Sequence, residues 1–186
     1  MMHRKLITAV LSALLFPAVS SKAQPITSIA GGGLHSLFIK GDGSLWAVGS
    51  NGSGQLGDGP NNDTNKPEQL VSAGVTAIAA GGYHSLFLKS DGSLWAMGDN
   101  YYGQLGDGTN NDTNKPEQIV AGGVTAIAAG AWHTLFLKSD GSLWAMGHNY
   151  SGQLGDGSYN LTNRPKQMVS SGVTAIAAGG YHTLFL

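Results

Sequence analysis

The sequence predicts an all-β fold, a β-propeller built of four-stranded blades of about 49 residues. After Pro25 the chain repeats itself, and its landmark residues recur at a fixed spacing of 49. These landmarks are His35, His84, His133 and His182, and Trp46, Trp95 and Trp144. Within each repeat, short apolar runs alternate with glycine-rich turns, and no stretch has the periodicity of an amphipathic helix. A period near 50 without helical periodicity is typical of an array in which each unit buries its faces against its neighbours.

The repeat divides the chain into four units. Three full repeats span residues 26–74, 75–123 and 124–172, and a partial fourth spans residues 173–186. The units amount to about 3.3 repeats and the last one stops in mid-strand. We therefore expect an incomplete arc, either a fragment of a longer propeller or one part of an assembly. The open blade edges of such an arc invite self-association.

Each full repeat contains four predicted strands, which the second repeat illustrates. Residues 75–80 are small or β-branched, which suits the crowded position nearest a propeller axis. In residues 84–89, neighbouring side chains point to opposite faces of the sheet. An Asp-Gly turn at 90–93 leads into a strand over 94–97. The fourth strand, 116–120, begins with proline, so we expect it at the outer edge, where the missing N–H is harmless.

Residues 1–23 do not belong to the repeat and predict a secretory signal peptide. A positive start is followed by an apolar run over 6–19 and by a small-x-small cleavage site at 21–23. The apolar run is too short to span a bilayer as a helix. We therefore expect a mature chain, residues 24–186, that is secreted, periplasmic or displayed at the cell surface, with no membrane association after cleavage. The alternative is an uncleaved membrane anchor.

The charge of the expected mature chain is mildly acidic, with 7 basic and 11 acidic side chains and a net charge of −4. This balance argues against binding to nucleic acid, whose affinity depends on clustered Lys and Arg that contact phosphates. The chain also contains no cysteine. Disulfides, thiolate metal sites and a cysteine nucleophile are therefore excluded, and stability must come from packing and strand pairing.

The periodic histidines have two interpretations. A ring of them would offer imidazole ligands to a metal, but equivalent residues of adjacent blades lie apart around a propeller. We therefore favour a buried imidazole that donates to a neighbouring backbone carbonyl group, and we predict no metal site. Ser85 directly follows His84, but adjacent strand residues face opposite ways, so this pair is not expected to be catalytic.

Two further motifs resemble binding loops. The glycines at 52–57 lack the following helix and the lysine that a phosphate-binding loop needs. Residues 107–113 have oxygen ligands at calcium-like spacing, but Asx turns explain this composition better, which leaves calcium as the alternative. The acids Asp42, Asp91 and Asp140 are periodic turn residues and not a catalytic pair. We therefore predict no catalytic residue and no cofactor.

Four segments of the repeat carry a family resemblance. In the second repeat they are Ile78-Ala-Ala-Gly-Gly-Tyr-His-Ser-Leu-Phe-Leu, Asp91-Gly92, Gly98-Asp-Asn-Tyr-Tyr-Gly-Gln-Leu-Gly-Asp-Gly108 and Pro116. Repeated in step over nearly all of residues 26–186, they resemble the regulator-of-chromosome-condensation repeat. Many members carry Trp immediately before the Gly-x-Asn, whereas this chain has Val48, Met97 and Met146 there. That departure concerns core packing more than the fold.

The resemblance implies a propeller that usually closes with seven blades. Relatives act as guanine-nucleotide exchange factors, as photoreceptor and ubiquitin-ligase scaffolds and, among secreted bacterial members, as inhibitors of β-lactamases. An exported chain does not meet a cytosolic GTPase, so the exchange-factor role does not carry over. The resemblance therefore points to interaction with an extracellular or periplasmic protein.

The candidate partner-binding residues lie where the repeats differ while their surroundings do not, since packing does not dictate the residue there. The predicted residues are Tyr101, Tyr102, Trp132, His148, Tyr150 and Tyr159. Aromatic residues on the loops of one rigid face are typical of a recognition surface. We expect His148 to titrate near neutral pH on that face. The alternative is that the aromatic residues preceding the periodic histidines are partly buried packing residues.

The sequence thus predicts a secreted repeat propeller that binds another protein, as an inhibitor or an adaptor, and that is not an enzyme. Two alternatives stay open. One is cell-surface carbohydrate binding, for which exposed aromatic rings would also serve. The other is a polysaccharide-active enzyme whose site lies outside this chain.

Overall fold

The computed structural model describes residues 23–186, and these residues form fourteen strands and no helix. Consequently none of them lies in a helix that is long and apolar enough to cross a membrane. Of the predicted signal peptide, residues 1–23, all but the last residue lie outside the described part. In chain order the strands are β1 (Ile26–Gly31), β2 (His35–Lys40), β3 (Leu45–Gly49), β4 (Thr64–Val71), β5 (Val75–Ala80), β6 (His84–Lys89), β7 (Leu94–Gly98), β8 (Thr113–Val120), β9 (Val124–Ala129), β10 (His133–Lys138), β11 (Leu143–Gly147), β12 (Thr162–Val169), β13 (Ile176–Ala178) and β14 (Thr183–Phe185).

The strands form four antiparallel sheets, each made of strands consecutive in sequence. Three are four-stranded blades, with the orders β1-β2-β3-β4, β5-β6-β7-β8 and β9-β10-β11-β12, and β13 pairs with β14 in a two-stranded fourth sheet. The first strands β1, β5, β9 and β13 pack against one another from sheet to sheet and therefore lie innermost. The sheets form an open arc of a propeller, which confirms the predicted fold class.

The fourth strand of each blade is longer than predicted. β8 begins at Thr113, three residues before Pro116, where the prediction placed its start. Thr113 pairs with Gly98 beyond a register shift. The preceding blade also holds this segment, because the backbone N of Gly59 donates to the carbonyl oxygen of Asn114 at 2.9 Å. Contacts between blades, which local sequence does not reveal, therefore extend the strand past its proline.

The hydrophobic core lies between the blades. On one face of β6, Leu86 and Leu88 pack with Phe136 of the third blade. On the other face, Phe87 packs with Leu37 of the first blade. The alternation of the strand is as predicted, but both of its faces are buried, because the second blade is sandwiched between two others.

The tryptophan of each blade packs along its own sheet, and a neighbouring residue fills the junction between blades. Trp95 stacks on Phe87 with ring centroids 6.0 Å apart and donates Nε1–H to Oγ of Ser93 at 2.9 Å. Met97 is fully buried, and a Cβ at Gly57 of the first blade would lie only 2.6 Å from its Sδ. The methionine at this position therefore packs directly on the loop glycine of the preceding blade.

Candidate partner-binding face

One end of the arc carries two loops from each blade. In an antiparallel blade, the loop between the first and second strands lies at the same end as the loop between the third and fourth strands. In the second and third blades and the fourth sheet, these loops are residues 81–83, 99–112, 130–132, 148–161 and 179–182. We call this end of the arc the loop face. Every residue predicted to bind a partner lies on it.

A buried asparagine builds the long loop of the second blade. Oδ1 of Asn100 accepts from the backbone N of Leu105 at 3.0 Å, and its Nδ2 donates to Asp107 at 3.0 Å. Its backbone N donates to Oδ1 of Asp112 at 2.8 Å. Asp107 also accepts from the backbone N of Thr109 at 2.8 Å, which is an Asx turn. These bonds hold the loop in one shape.

The hydrogen bonds bear directly on the calcium alternative. The carboxylates of residues 107–113 accept hydrogen bonds from within the loop, as the Asx-turn interpretation predicts. Over residues 23–186, no group of three or more His, Cys, Asp or Glu side chains is arranged to hold a metal ion. The oxygen-rich composition of the loop is therefore accounted for by its own backbone geometry.

A buried glutamine sets the side chain at the first position of the long loop. In the second blade, Oε1 of Gln104 accepts from the backbone N of Tyr102 at 3.0 Å, and its amide N–H donates to the carboxylate of Asp99. In the third blade, the amide of Gln153 donates in the same way to Nδ1 of His148. Asp99 and His148 are thus acceptors for a buried amide, which explains two side chains that the sequence left free to vary.

Burial at this loop position also shifts the pKa values of the two ionisable side chains that occupy it. Burial, and secondarily the charge of Asp112, raises the pKa of Asp99. Burial lowers the pKa of His148, which is only 8% exposed. Burial therefore disfavours the protonated form of His148, the form that we expected to face a partner near neutral pH. In the first blade Ser50 holds the position, and Nε2 of Gln55 is buried without a hydrogen-bond partner.

Aromatic side chains meet on the loop face. Tyr102 lies at the centre and makes edge-on contacts with four rings. Its ring centroid is 4.9 Å from that of Tyr101, 4.6 Å from His148, 5.8 Å from Trp132 and 6.3 Å from Tyr150. The second and third blades therefore contribute rings to one continuous surface.

Two more rings extend this surface. Tyr83 stacks on Trp132 with centroids 5.3 Å apart and planes inclined by 25°. On the other side, Nε1–H of Trp132 donates to the hydroxyl of Tyr181 at 3.2 Å, and Tyr181 lies 6.0 Å from His148. We call these seven side chains the aromatic cluster: Tyr83, Tyr101, Tyr102, Trp132, His148, Tyr150 and Tyr181.

The predicted residues differ in their exposure. Tyr101 and Tyr150 are 70% and 62% exposed, whereas Tyr102, which contacts both of them, and Trp132 are half-buried. Tyr159 is 71% exposed, but among the described aromatic rings it contacts none of the cluster. Five of the six predicted residues therefore lie together, and Tyr159 stands apart.

The prediction omitted Tyr83 and Tyr181 from the partner-binding set. Both occupy the position before a periodic histidine, as Trp132 does, and the sequence left these positions open to a packing role. Their recurrence in the same variable position was the signal for including them. In the structure they both pack on Trp132 and remain partly accessible.

Behind the loop face, the periodic histidines connect neighbouring blades. Nε2 of His35 lies 2.8 Å from Oγ of Ser85 in the next blade, and that hydroxyl donates to the carbonyl oxygen of Gln55 at 2.7 Å. Because the hydroxyl proton is used in this way, the imidazole must be the donor at Nε2. The equivalent chains are His84–Thr134–Gln104 and His133–Thr183–Gln153. The predicted carbonyl acceptor is therefore wrong, since the imidazole reaches the carbonyl only through a hydroxyl group of the next blade.

These histidines are neutral structural groups. Burial lowers the pKa of His84 to about 3 and those of His35 and His133 to about 4. A Cβ at Gly81 would lie 2.2 Å from Cε1 of His84, so this position requires glycine. Ser85 and His35 do form a hydrogen bond between blades. The serine hydroxyl, however, donates to a carbonyl oxygen and not to the imidazole, and both groups are buried.

Comparison with known proteins agrees with this architecture. The chain matches the regulator of chromosome condensation (RCC1) repeat over residues 42–88, 91–137 and 140–186. A second description of the same repeat matches residues 26–55, 75–104 and 124–153. A comparison with curated proteins found no match.

Solved structures with similar folds include three of this architecture. Prp20p from Saccharomyces cerevisiae has a TM-score of 0.78 and 22% identity, over 86% of this chain and 43% of that chain. Yeast RCC1 (Prp20) bound to Kap60 has a TM-score of 0.74 and 25% identity, over 89% and 42%. Human WBSCR16 has a TM-score of 0.56 and 22% identity, over 89% and 58%. The chain thus spans less than half the length of the two yeast structures.

The repeat matches cover most of the chain, and their period is that of the blades. Each full blade contains the buried histidine that bonds to a hydroxyl group of the next sheet, the Asp-Gly turn and the asparagine-centred loop. The chain therefore belongs to the regulator of chromosome condensation (RCC1) repeat family.

Proposed function

We propose that this protein is a secreted interaction module that binds an extracellular or periplasmic protein through its loop face, as an inhibitor or an adaptor. The observation that carries the proposal is the aromatic cluster, in which seven rings from two blades and the fourth sheet lie together. A rigid scaffold that presents aromatic side chains on loops is well suited to recognising another protein.

The cluster has the physical properties of a binding surface. Large aromatic side chains bury much area and lose little conformational entropy on binding. Tyr101 and Tyr150 project into solvent and pack on Tyr102, which in turn packs on Trp132. The loop under Tyr101 is fixed by the hydrogen bonds of Asn100. Little reorganisation is therefore needed when a partner docks.

Structural relatives support a protein as the partner. The Prp20p structure was described together with its binding to Gsp1p and histones, and yeast RCC1 was solved bound to Kap60. Extending this to the present chain is part of the proposal. The excess of acidic over basic side chains also disfavours nucleic acid as the partner.

The proposal includes export and the absence of catalysis. Export rests on the three-part pattern of residues 1–23. The non-catalytic role rests on the use made of the polar groups. Asp91 caps its own turn, with its carboxylate accepting from the backbone N of Ser93 at 2.9 Å. His35 and Ser85 bond within the core.

The test is affinity capture with the immobilised mature chain from an extracellular extract of the source organism. The double variant Tyr101→Ala with Tyr150→Ala removes the two most exposed rings of the cluster. Tyr159→Ala is the matched control, because this tyrosine is equally exposed on the loop face but lies outside the cluster. We expect a protein that wild type and control retain and the double variant loses, since truncating a central aromatic residue commonly costs about 2 kcal/mol or more.

The outcomes separate the alternatives. Retention of the same protein by the double variant, in its folded state as judged by circular dichroism, would show that the cluster is not the binding surface. Binding of the mature chain to a glycan on an array, with no protein captured from the extract, would favour carbohydrate binding instead.

A further inference from the structure

Among the Asp, Glu, Lys and Arg side chains within the loops around the aromatic cluster, all charges have the same sign. The five loops that surround the aromatic cluster contain four carboxylates and no lysine or arginine. The carboxylates are those of Asp99, Asp107, Asp112 and Asp156. The two histidines in these loops include His148, whose lowered pKa leaves it neutral at pH 7. The face is therefore both aromatic and anionic.

Only one of the four carboxylates forms an ion pair among the described residues. Asp156 pairs with Lys166 at 2.5 Å. The guanidinium group of Arg164 packs against Gly108, the residue that follows Asp107. Among the described residues, neither Asp99 nor Asp112 forms an ion pair. The uncompensated charge is therefore concentrated in the long loop of the second blade.

The carboxylate of Asp99 is linked to the loop segment that carries the rings. One glutamine side chain holds both groups, because Gln104 donates to Asp99 and accepts from the backbone N of Tyr102. The nearby charge of Asp112 contributes to the raised pKa of Asp99, so the two carboxylates are close together; Asp99 is partly buried and Asp112 is exposed. A partly buried carboxylate such as that of Asp99 attracts a cation more strongly than an exposed one does.

The first blade provides an internal comparison. Its long loop contains Asp58 and Asp63 in the positions of Asp107 and Asp112, and Asp63 accepts from the backbone N of Asn51 at 2.8 Å just as Asp112 does from its own asparagine. That loop has no aromatic residue and has serine in place of Asp99. The combination of rings with uncompensated charge is therefore specific to the second blade and is not a property of the repeat.

We propose that the partner presents a basic segment, whose arginine or lysine side chain docks on Tyr101 and Tyr102 and is attracted by the carboxylates of Asp99 and Asp112. A cation over an aromatic face is attracted by the ring, and the attraction grows when water is excluded. An acidic segment at the same place would meet two uncompensated carboxylates. The inference rests on the proposed function, since it specifies the partner of the same surface.

The test uses hexa-arginine and hexa-glutamate peptides as probes, with the mature chain in calorimetric titrations at low and at high salt. The test variant combines Asp99→Asn with Asp112→Asn, which removes two charges and keeps an acceptor oxygen at each position. The matched control combines Asp58→Asn with Asp63→Asn, which removes the same charge from the first blade. Tyr101→Ala with Tyr150→Ala tests the rings.

We expect hexa-arginine to bind wild type and control alike, with affinity that falls at high salt, and hexa-glutamate not to bind. The test variant and the tyrosine variant should each weaken hexa-arginine binding about tenfold. Equal affinity of the test variant and the control, or binding of hexa-glutamate, would overturn the inference.

The captured protein distinguishes this inference from the proposed function. If its binding is lost in the tyrosine variant but is unchanged by the Asp99 and Asp112 substitutions and by salt, the interaction surface stands and the basic partner is wrong. If the tyrosine variant still binds it, the proposed function itself fails.

Discussion

Nε2 of His84 in the second blade lies 3.1 Å from Oγ1 of Thr134 in the third, and that hydroxyl donates back to the carbonyl oxygen of Gln104 in the second blade at 2.8 Å. The side chain of the same Gln104 holds Asp99 and the backbone of Tyr102. Gln104 therefore takes part both in the hydrogen bonds between the blades and in the support of the aromatic cluster. A substitution at the buried junction should therefore also change the conformation of the loop face.

The first prediction concerns the contribution of this junction to stability. His84→Ala should lower the free energy of unfolding by about 1–3 kcal/mol, because it deletes a buried hydrogen bond and leaves a gap beside Gly81. His182→Ala is the control, since His182 occupies the same repeat position but is exposed. Urea unfolding of the two variants measures the difference. Equal losses, or a wild-type melting temperature that falls when a chelator is added, would contradict the structural role.

The second prediction concerns the stability of the fold at acidic pH. The pKa values of His35, His84 and His133 in the folded state are about 4, 3 and 4, below the value of 6.5 for an unperturbed imidazole. Below pH 6.5 the unfolded chain therefore binds protons that the folded state does not. The free energy of unfolding should be highest above pH 6.5 and should fall as the pH decreases toward 4, by up to about 1.4 kcal/mol per pH unit for each histidine.

Urea midpoints at about pH 7 and about pH 5 measure this slope, and a variant that lacks His84 should show a smaller one. The turn carboxylates of Asp42, Asp91 and Asp140 do not confound the measurement. Hydrogen bonds from the neighbouring serines lower their pKa below 3.8, so any stability they contribute is lost only at lower pH. A flat profile between the two pH values would show that the buried histidines do not control acid stability.

The third prediction is a reciprocal exchange at the first position of the long loop. Ser50→Asp should stabilise the chain by about 1 kcal/mol, because it offers an acceptor to the buried and unpaired Nε2 of Gln55. The second blade already contains the same arrangement, with Asp99 accepting from Gln104. Asp99→Ser should destabilise by a similar amount. Thermal unfolding of both variants checks the pair, and shifts of the same sign would refute the explanation.

The sequence alone determined the fold class, the strand alternation and the face on which the variable residues lie. These follow from local rules. A fixed period identifies a repeat array, alternation assigns Leu86 and Phe87 to opposite faces, and antiparallel connection places 81–83 and 99–112 at one end. The same rules placed Tyr101, Tyr102, Trp132 and Tyr150 on one face, and the structure brings these four side chains together there, whereas Tyr159 stands apart.

Only the tertiary structure decided what each face meets across a blade junction. It showed that the imidazole bonds to a hydroxyl group of the next blade, that Asn114 extends its strand through contact with the preceding blade, and that His148 is buried as the acceptor for Gln153. The partners of these groups lie 5, 50 or 55 residues away in sequence, in irregular loops or in another blade. Periodicity predicts which side of a strand a residue occupies, but packing between blades alone determines which atoms lie within hydrogen-bonding distance.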